Sequence, residues 1–196
     1  MCVNLLVFIF ELIGLCKVYG EVGERWLVYY TQLSNIFLLV AVFINIVGAA
    51  RCLVSGRSDN LPMCAWRIFH AAVSATTVTF LVVVLVLSWM YGDLWYILTA
   101  GSMLYTHTLC PLIALGTFIG FAPKEFKKVD AIKATSFTVI YGLIAIILNV
   151  MRVMKGPYPF LYVYEQPVWV TVFWIVTIIS GAYVLSRLIL VGKIKK

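Results

Sequence analysis

The sequence predicts an all-α fold, an integral membrane bundle of about six transmembrane helices, from its composition and its length. Hydrophobic residues make up 63% of the 196-residue chain, and only 12% are charged. Soluble domains carry about 25% charged residues, and a chain of this size cannot hide so large an apolar fraction from water. Each span takes roughly 20 apolar residues. The chain therefore has room for about six spans and short connections.

The apolar segments follow one another along the whole chain, so we treat residues 1–196 as a single transmembrane domain. Connections rich in glycine, proline or charge separate them. The predicted helices cover about residues 3–19, 26–50, 66–90, 95–121, 134–153 and 168–191. Glu11 interrupts the first segment. If that segment does not span, five helices remain and the N-terminus lies outside.

The basic residues predict the orientation of the bundle. One side carries eleven of them: Arg51, Arg57, Arg67, Lys124, Lys127, Lys128, Lys133, Arg187, Lys193, Lys195 and Lys196. The other side carries four: Lys17, Arg25, Arg152 and Lys155. Lysine and arginine accumulate on the cytoplasmic side of membrane proteins. We therefore expect a multi-pass protein of the cell membrane with both termini in the cytoplasm.

The net charge of +7 does not indicate a nucleic-acid partner, because the basic residues lie between apolar segments. Membrane lipids are the expected partners, and the sequence leaves the oligomeric state open. The five cysteines form no C-x-x-C pair and show no metal-ligand spacing. They are typical of reduced, mostly buried thiols. We expect no metal and no cofactor.

His107 is the histidine that lies deepest in a predicted span. An ionisable side chain in hydrocarbon is a candidate functional residue by default. Pro111 has no N–H to donate to the carbonyl of residue 107, so a kink is expected beside the ring. His107 is a candidate general base or metal ligand, and a buried histidine bonded to a hydroxyl is the alternative. Cys110, one turn away, is a rival nucleophile or a small buried filler.

A polar cluster marks the start of the second predicted helix. Thr31, Ser34 and Asn35 have the spacing of residues that share one helix face. A hydroxyl beside a neutral histidine is the minimal pair for acyl transfer, and Asn35 is a candidate donor to an oxyanion or a positioning residue with Ser34. A polar helix–helix contact is the alternative. The predicted depths of Thr31 and His107 differ by roughly 10 Å at 1.5 Å per residue.

The connection between the last two helices, residues 156–167, is rich in proline and aromatic rings. Either a lid above the site or an aromatic anchor at the membrane interface fits this composition.

These motifs resemble a known family. The Tyr-Thr-x-x-Ser-Asn run from Tyr30, the His107-x-x-x-Pro111 element and the Gly-Pro-Tyr-Pro-Phe-Leu run from Gly156 are similar to the androgen-induced-gene family of multi-pass membrane proteins and its bacterial relatives. Animal members are threonine hydrolases that cleave fatty acid esters of hydroxy fatty acids with an intramembrane Thr and His. The resemblance implies Thr31 as the nucleophile, His107 as the base and fatty acyl esters as substrates.

Three hypotheses follow from the sequence. The first is an intramembrane lipid-ester hydrolase that uses Thr31 and His107. The second is a small-solute or proton-coupled transporter or channel with His107 and Glu11 on its path, which predicts a water-filled cavity near the midplane. The third is a non-catalytic membrane scaffold, in which Thr31 and His107 face different neighbours.

Overall fold

The computed structural model describes residues 1–56 and 61–194, and within these residues the fold is all-α with no strand. Six helices are long and apolar enough to cross a membrane, which indicates a multi-pass membrane protein. Arg57, Lys195 and Lys196, which count toward the predicted orientation, lie outside the described residues.

The described chain forms seven helices, of which one is short. They are α1 (Cys2–Val22), α2 (Tyr30–Val54), α3 (Met63–Tyr91), α4 (Leu94–Thr99), α5 (Leu104–Phe121), α6 (Lys128–Val150) and α7 (Val168–Ile189). A 3-10 turn, Gly23–Val28, joins α1 to α2. The α3 helix contains a π-helical stretch, Val83–Leu87, and α5 begins with another, Leu104–Leu109.

Three helix boundaries differ from the predicted ones: the starts of α2 and α6, and the break between α4 and α5. The second helix begins at Tyr30, after the extended residue Tyr29, and not near residue 26. The predicted helix 95–121 is broken into α4 and α5 by residues 100–103. The α6 helix begins at Lys128, six residues before the predicted start, because the Asp130 carboxylate accepts the Lys127 backbone N–H at 2.8 Å and caps that end.

The first helix is continuous through Glu11. The α1 helix runs over 21 residues, and Glu11 is fully buried against the bundle interior. The Cys110 thiol of α5 lies beside its carboxyl group. Large apolar side chains such as Leu5, Ile9 and Leu12 occupy the exposed face of the same helix. This arrangement favours six spans over five, because α1 keeps its acidic residue away from lipid.

The α3 helix is the centre of the bundle. It packs against α2, α5, α6 and α7, while α1 packs against α2 and α5. Threonines, serines and small residues line the buried faces of α3, which lets neighbouring backbones approach closely and bond across the interface. The connections α1–α2, α3–α5 and α6–α7 meet at one end of the bundle. We call this the site end, and the end that holds residues 122–127 and 190–194 the opposite end.

Candidate functional site

Thr31 lies in the first turn of α2. Tyr29 has an extended backbone (φ −86°, ψ 137°) and ends the preceding 3-10 turn, so Thr31 is the second residue of a new helix. The first backbone N–H groups of a helix have no carbonyl partner within it, and they form its positive end. The Thr31 hydroxyl therefore lies in the first turn, at the positive end of the helix, an arrangement that the predicted start near residue 26 would not have produced.

Tyr158, from the α6–α7 connection, contacts Thr31 at this helix end. The Thr31 backbone N–H donates to Tyr158 Oη at 3.4 Å, and the two hydroxyl oxygens are 3.5 Å apart. The Tyr158 ring stacks on Phe160 with centroids 5.2 Å apart. Burial raises the pKa of the Tyr158 phenol above its ordinary value, so its proton is retained at neutral pH. Sequence reasoning treated this segment as a lid or an anchor and missed Tyr158 as a site residue.

Ser34 and Asn35 hold the Thr31 backbone in place. The Ser34 hydroxyl donates to the Thr31 carbonyl at 2.9 Å and lies 3.0 Å from Thr79 Oγ1 of α3. Asn35 Nδ2 donates to the Thr31 carbonyl at 2.7 Å and to the Thr106 carbonyl of α5 at 3.1 Å. Both amide protons of Asn35 are thus engaged. Of its two predicted roles, positioning fits this geometry, and donation to an oxyanion does not.

The break between α4 and α5 orients His107. Residues 100–103 interrupt the helix, so the last carbonyls of α4 have no helical partner. His107 Nδ1 donates to the Ile97 carbonyl at 2.8 Å, and the Thr108 hydroxyl donates to the Leu98 carbonyl at 2.8 Å. A carbonyl oxygen can only accept, so Nδ1 carries the proton in the neutral ring. His107 Nε2 then keeps its lone pair, as a general base requires.

Glu21, near the end of α1, stabilises this break. Its carboxylate accepts the Ser102 backbone N–H at 3.1 Å and the Ser102 hydroxyl. Gly101 has a left-handed backbone (φ 53°), and a Cβ there would lie 2.6 Å from Glu21 Oε1. A side chain at position 101 would therefore collide with the carboxylate. Glu21 is a second residue of the site that sequence reasoning missed, because its partner lies 81 positions away.

The expected irregularity beside Pro111 takes the form of a π-helical turn. Residues Leu104–Leu109 form this turn, and a regular α-helix resumes at Cys110. Such turns occur often at functional sites because they turn side chains away from the regular helical path. His107 is now the fourth residue of its span, and Thr31 is the second residue of α2. Asn35, one turn after Thr31, donates from Nδ2 to the Thr106 carbonyl at 3.1 Å, so His107 lies close to the second turn of α2.

A cavity of about 470 Å³ at the site end is lined by both Thr31 and His107. Its walls combine polar side chains with a larger apolar part, and we call it the polar cavity to distinguish it from its neighbour. Its other polar walls include Gln32, Ser102, Thr106 and Tyr158. Within the described residues, no hydrogen bond joins the Thr31 hydroxyl to the His107 ring. The open cavity between them provides the room for a substrate.

A second, apolar pocket of about 90 Å³ adjoins the same threonine. Side chains of α3, α6 and α7 form its walls, with Val78, Leu143 and Ile178 among them. Thr31 and Tyr158 line both the pocket and the polar cavity. Thr31 therefore lies where a polar chamber meets a narrow apolar one.

The α6–α7 connection is part of the pocket wall. Phe160 and Leu161 are buried, and both line the apolar pocket. Asn149 Nδ2 donates to the Leu161 carbonyl at 2.9 Å, and Gln166 Nε2 donates to the Phe160 carbonyl at 2.9 Å. These bonds hold the connection against the bundle, where it forms part of the pocket wall.

Two other predictions concern metals and cysteine. In residues 1–56 and 61–194, no group of three or more His, Cys, Asp and Glu side chains is placed to hold a metal ion. The expectation of mostly buried thiols is wrong, because Cys2, Cys16 and Cys64 are exposed and Cys52 is half-buried. Cys110 alone of the five is fully buried, in the core beside Glu11. It is absent from the walls of the polar cavity, so the structure favours the filler interpretation over the rival nucleophile.

The comparisons with known proteins give no assignment. No family model matches the chain, and neither the curated proteins nor the solved structures contain a match.

Proposed function

We propose that this protein is an intramembrane hydrolase of fatty acyl esters, with Thr31 as nucleophile and His107 as general base. The observation that carries the proposal is the position of Thr31 at the junction of an apolar pocket and a polar cavity that His107 also lines. An acyl ester has the same division into an apolar chain and a polar alcohol, and the two meet at the carbonyl carbon. The resemblance to the androgen-induced-gene family supports the same pair of residues.

The first half of the reaction forms an acyl-enzyme. The acyl chain occupies the apolar pocket, and the alcohol portion lies in the polar cavity. His107 Nε2 accepts the Thr31 hydroxyl proton as Oγ1 attacks the carbonyl carbon. The resulting oxyanion lies at the start of α2, where the first N–H groups and the Tyr158 hydroxyl donate to it. His107 then gives the proton to the alcohol oxygen, the ester C–O bond breaks, and the acyl group stays on Thr31.

The second half releases the acid. A water molecule enters the polar cavity and attacks the acyl-threonine carbonyl, while His107 accepts its proton. The bond to Thr31 Oγ1 breaks, and that proton returns to the threonine oxygen. The fatty acid leaves, and the enzyme is restored. The reaction uses no metal and no redox cofactor.

The cellular part of the proposal is a multi-pass protein of the cell membrane, with both termini in the cytoplasm and the site end in the outer half of the bilayer. It rests on the eleven basic residues on one side against four on the other. Fusions of a reporter that is active only in the cytoplasm test it. Activity is expected at the C-terminus and after Arg51, and not in the α6–α7 connection.

Mutation of Thr31 tests the chemistry. We expect Thr31→Ala to lower kcat/KM for a long-chain acyl ester by about 10³-fold or more and to abolish labelling by a fluorophosphonate probe. Thr31→Ser retains a hydroxyl and should keep part of both. Thr117→Ala is a matched control, because Thr117 is equally buried and bonds only to the Ile113 carbonyl of its own helix. Full activity and labelling in Thr31→Ala would overturn the proposal.

Glu11 supports a second candidate, a proton-coupled transporter. Its carboxyl group is fully buried with the Cys110 thiol as its polar neighbour, and both polar atoms of the Asn45 side chain are buried with no hydrogen-bond partner within the described residues. Buried carboxyl groups of this kind occur in proton relays. Proton flux into liposomes that disappears in Glu11→Gln, together with unchanged flux in Thr31→Ala, would favour this candidate over the hydrolase.

A further inference from the structure

The polar cavity is larger than an ester group requires, and the charged side chains in its walls are acidic. Two carboxylates line it, Glu21 and Asp93, and no lysine or arginine of residues 1–56 and 61–194 does so. Tyr29, Tyr91 and Tyr96 form other parts of the wall. The part of the substrate that enters this cavity meets negative charge and aromatic faces, and it meets no cation.

Both carboxylates are held in position by helix ends. The Glu21 carboxylate accepts two bonds from Ser102, and Asp93 Oδ1 accepts the Tyr96 backbone N–H at 2.8 Å. A carboxylate has about four lone-pair positions, so each group retains capacity to accept from a ligand. Their positions in the cavity wall are therefore fixed by the fold.

We propose that the alcohol portion of the substrate carries hydrogen-bond donors, as hydroxyl or ammonium groups, and no negative charge. This inference rests on the proposed function. It also separates this chain from the substrates that the family resemblance implies, whose alcohol portion ends in a carboxylate. Glu21 and Asp93 repel a carboxylate, whereas a glycerol or amino-alcohol portion donates to both.

A set of esters with one acyl chain and four alcohols tests the inference on the purified full-length protein. The alcohols are glycerol, dimethylaminoethanol, methanol and a hydroxy fatty acid. We expect kcat/KM for the glycerol and dimethylaminoethyl esters to exceed that for the methyl ester by about 10-fold or more. The hydroxy fatty acid ester should fall below the methyl ester. A higher rate for the glycerol ester than for the dimethylaminoethyl ester identifies a polyol as the source of the donors, and the reverse identifies an amine.

One variant assigns the selectivity to the acidic part of the wall. Asp93→Asn keeps the cap on Tyr96 but removes the charge, so it should raise kcat/KM for the hydroxy fatty acid ester relative to the methyl ester. Glu24→Gln is the matched control, because it removes one exposed charge at the same end of the bundle outside the cavity wall.

The outcomes separate the two proposals. If Thr31-dependent hydrolysis occurs but the hydroxy fatty acid ester is cleaved as fast as the glycerol ester or faster, the inference is wrong and the hydrolase stands. If no ester is cleaved, or if Thr31→Ala cleaves all four at the original rates, the hydrolase itself is wrong and the inference falls with it.

Discussion

The two ends of the bundle each contain a histidine beside hydroxyl groups, and they differ in access. At the opposite end, His70 Nε2 lies 3.2 Å from the Ser186 carbonyl, 3.3 Å from the Ser186 hydroxyl and 3.4 Å from the Ser74 hydroxyl. The Phe118 and Phe126 rings pack on the imidazole, with centroids 5.3 and 5.6 Å away. His70 is 1% exposed. The imidazole and the Ser74 and Ser186 hydroxyls are therefore packed together and closed off from solvent.

At the site end, the same residue types are arranged around a cavity. His107 bonds a backbone carbonyl through Nδ1 alone, and Thr31 bonds only Tyr158 through its hydroxyl. The His107 and Thr31 side chains both line an open volume. The comparison teaches that a histidine and a hydroxyl in a membrane bundle are not sufficient for chemistry. His70 Nδ1 also has no hydrogen-bond partner within the described residues, but it is buried, so open space beside the ring is the feature that distinguishes the two ends.

Replacing each histidine provides the largest test of this comparison. We expect His107→Ala to lower kcat/KM by about 10³-fold, because the reaction loses its general base, with little change in thermal stability. His70→Ala should instead lower the free energy of unfolding by about 3 kcal/mol and leave the activity of the folded fraction unchanged. Ester hydrolysis and thermal denaturation in detergent measure the two effects. A large loss of activity per folded molecule in His70→Ala would contradict the assignment of the site to one end.

Replacing Tyr158 tests the oxyanion donor at the site end, and we expect a loss of activity smaller than that of His107→Ala. We expect Tyr158→Phe to lower kcat by about 10²-fold, because one donor to the oxyanion is lost while the ring stacking on Phe160 is kept. Burial raises the pKa of Tyr158, so its neutral, donating form persists to higher pH than that of an ordinary tyrosine. The pH–rate profile of the native protein should therefore show no decline from Tyr158 until above pH 10. A decline below pH 10 that Tyr158→Phe removes would contradict this assignment.

Replacing Asp130 tests the opposite end, and we expect the smallest effect there. Its carboxylate caps α6 and lies 3.2 Å from Arg67 Nε, whose side chain is 40% exposed. We expect Asp130→Ala to lower the free energy of unfolding by about 1–2 kcal/mol, mostly through loss of the cap, because partly exposed ion pairs contribute little. Ester hydrolysis should be unchanged. A loss of activity larger than the loss of folded protein would indicate that the two ends are coupled.

Much of the fold and part of the site could be predicted from the sequence. The six spans follow from apolar length, which is a local property. The i, i+3, i+4 spacing of Thr31, Ser34 and Asn35 predicted a shared face, and Ser34 and Asn35 do bond to the Thr31 carbonyl. The role of Asn35 could not be predicted in the same way, because its second acceptor is the Thr106 carbonyl on another helix.

The sequence by itself determined the class of the molecule and the residue types available for chemistry, because composition and helical period do not depend on distant contacts. Only the tertiary structure decided where the helices break. The separation of α4 from α5 depends on Glu21 reaching Ser102 across the bundle. That break releases the Ile97 carbonyl that orients His107. The sequence offered Thr31 and His107 as a pair at mismatched depths, and long-range contacts place them on the wall of one cavity.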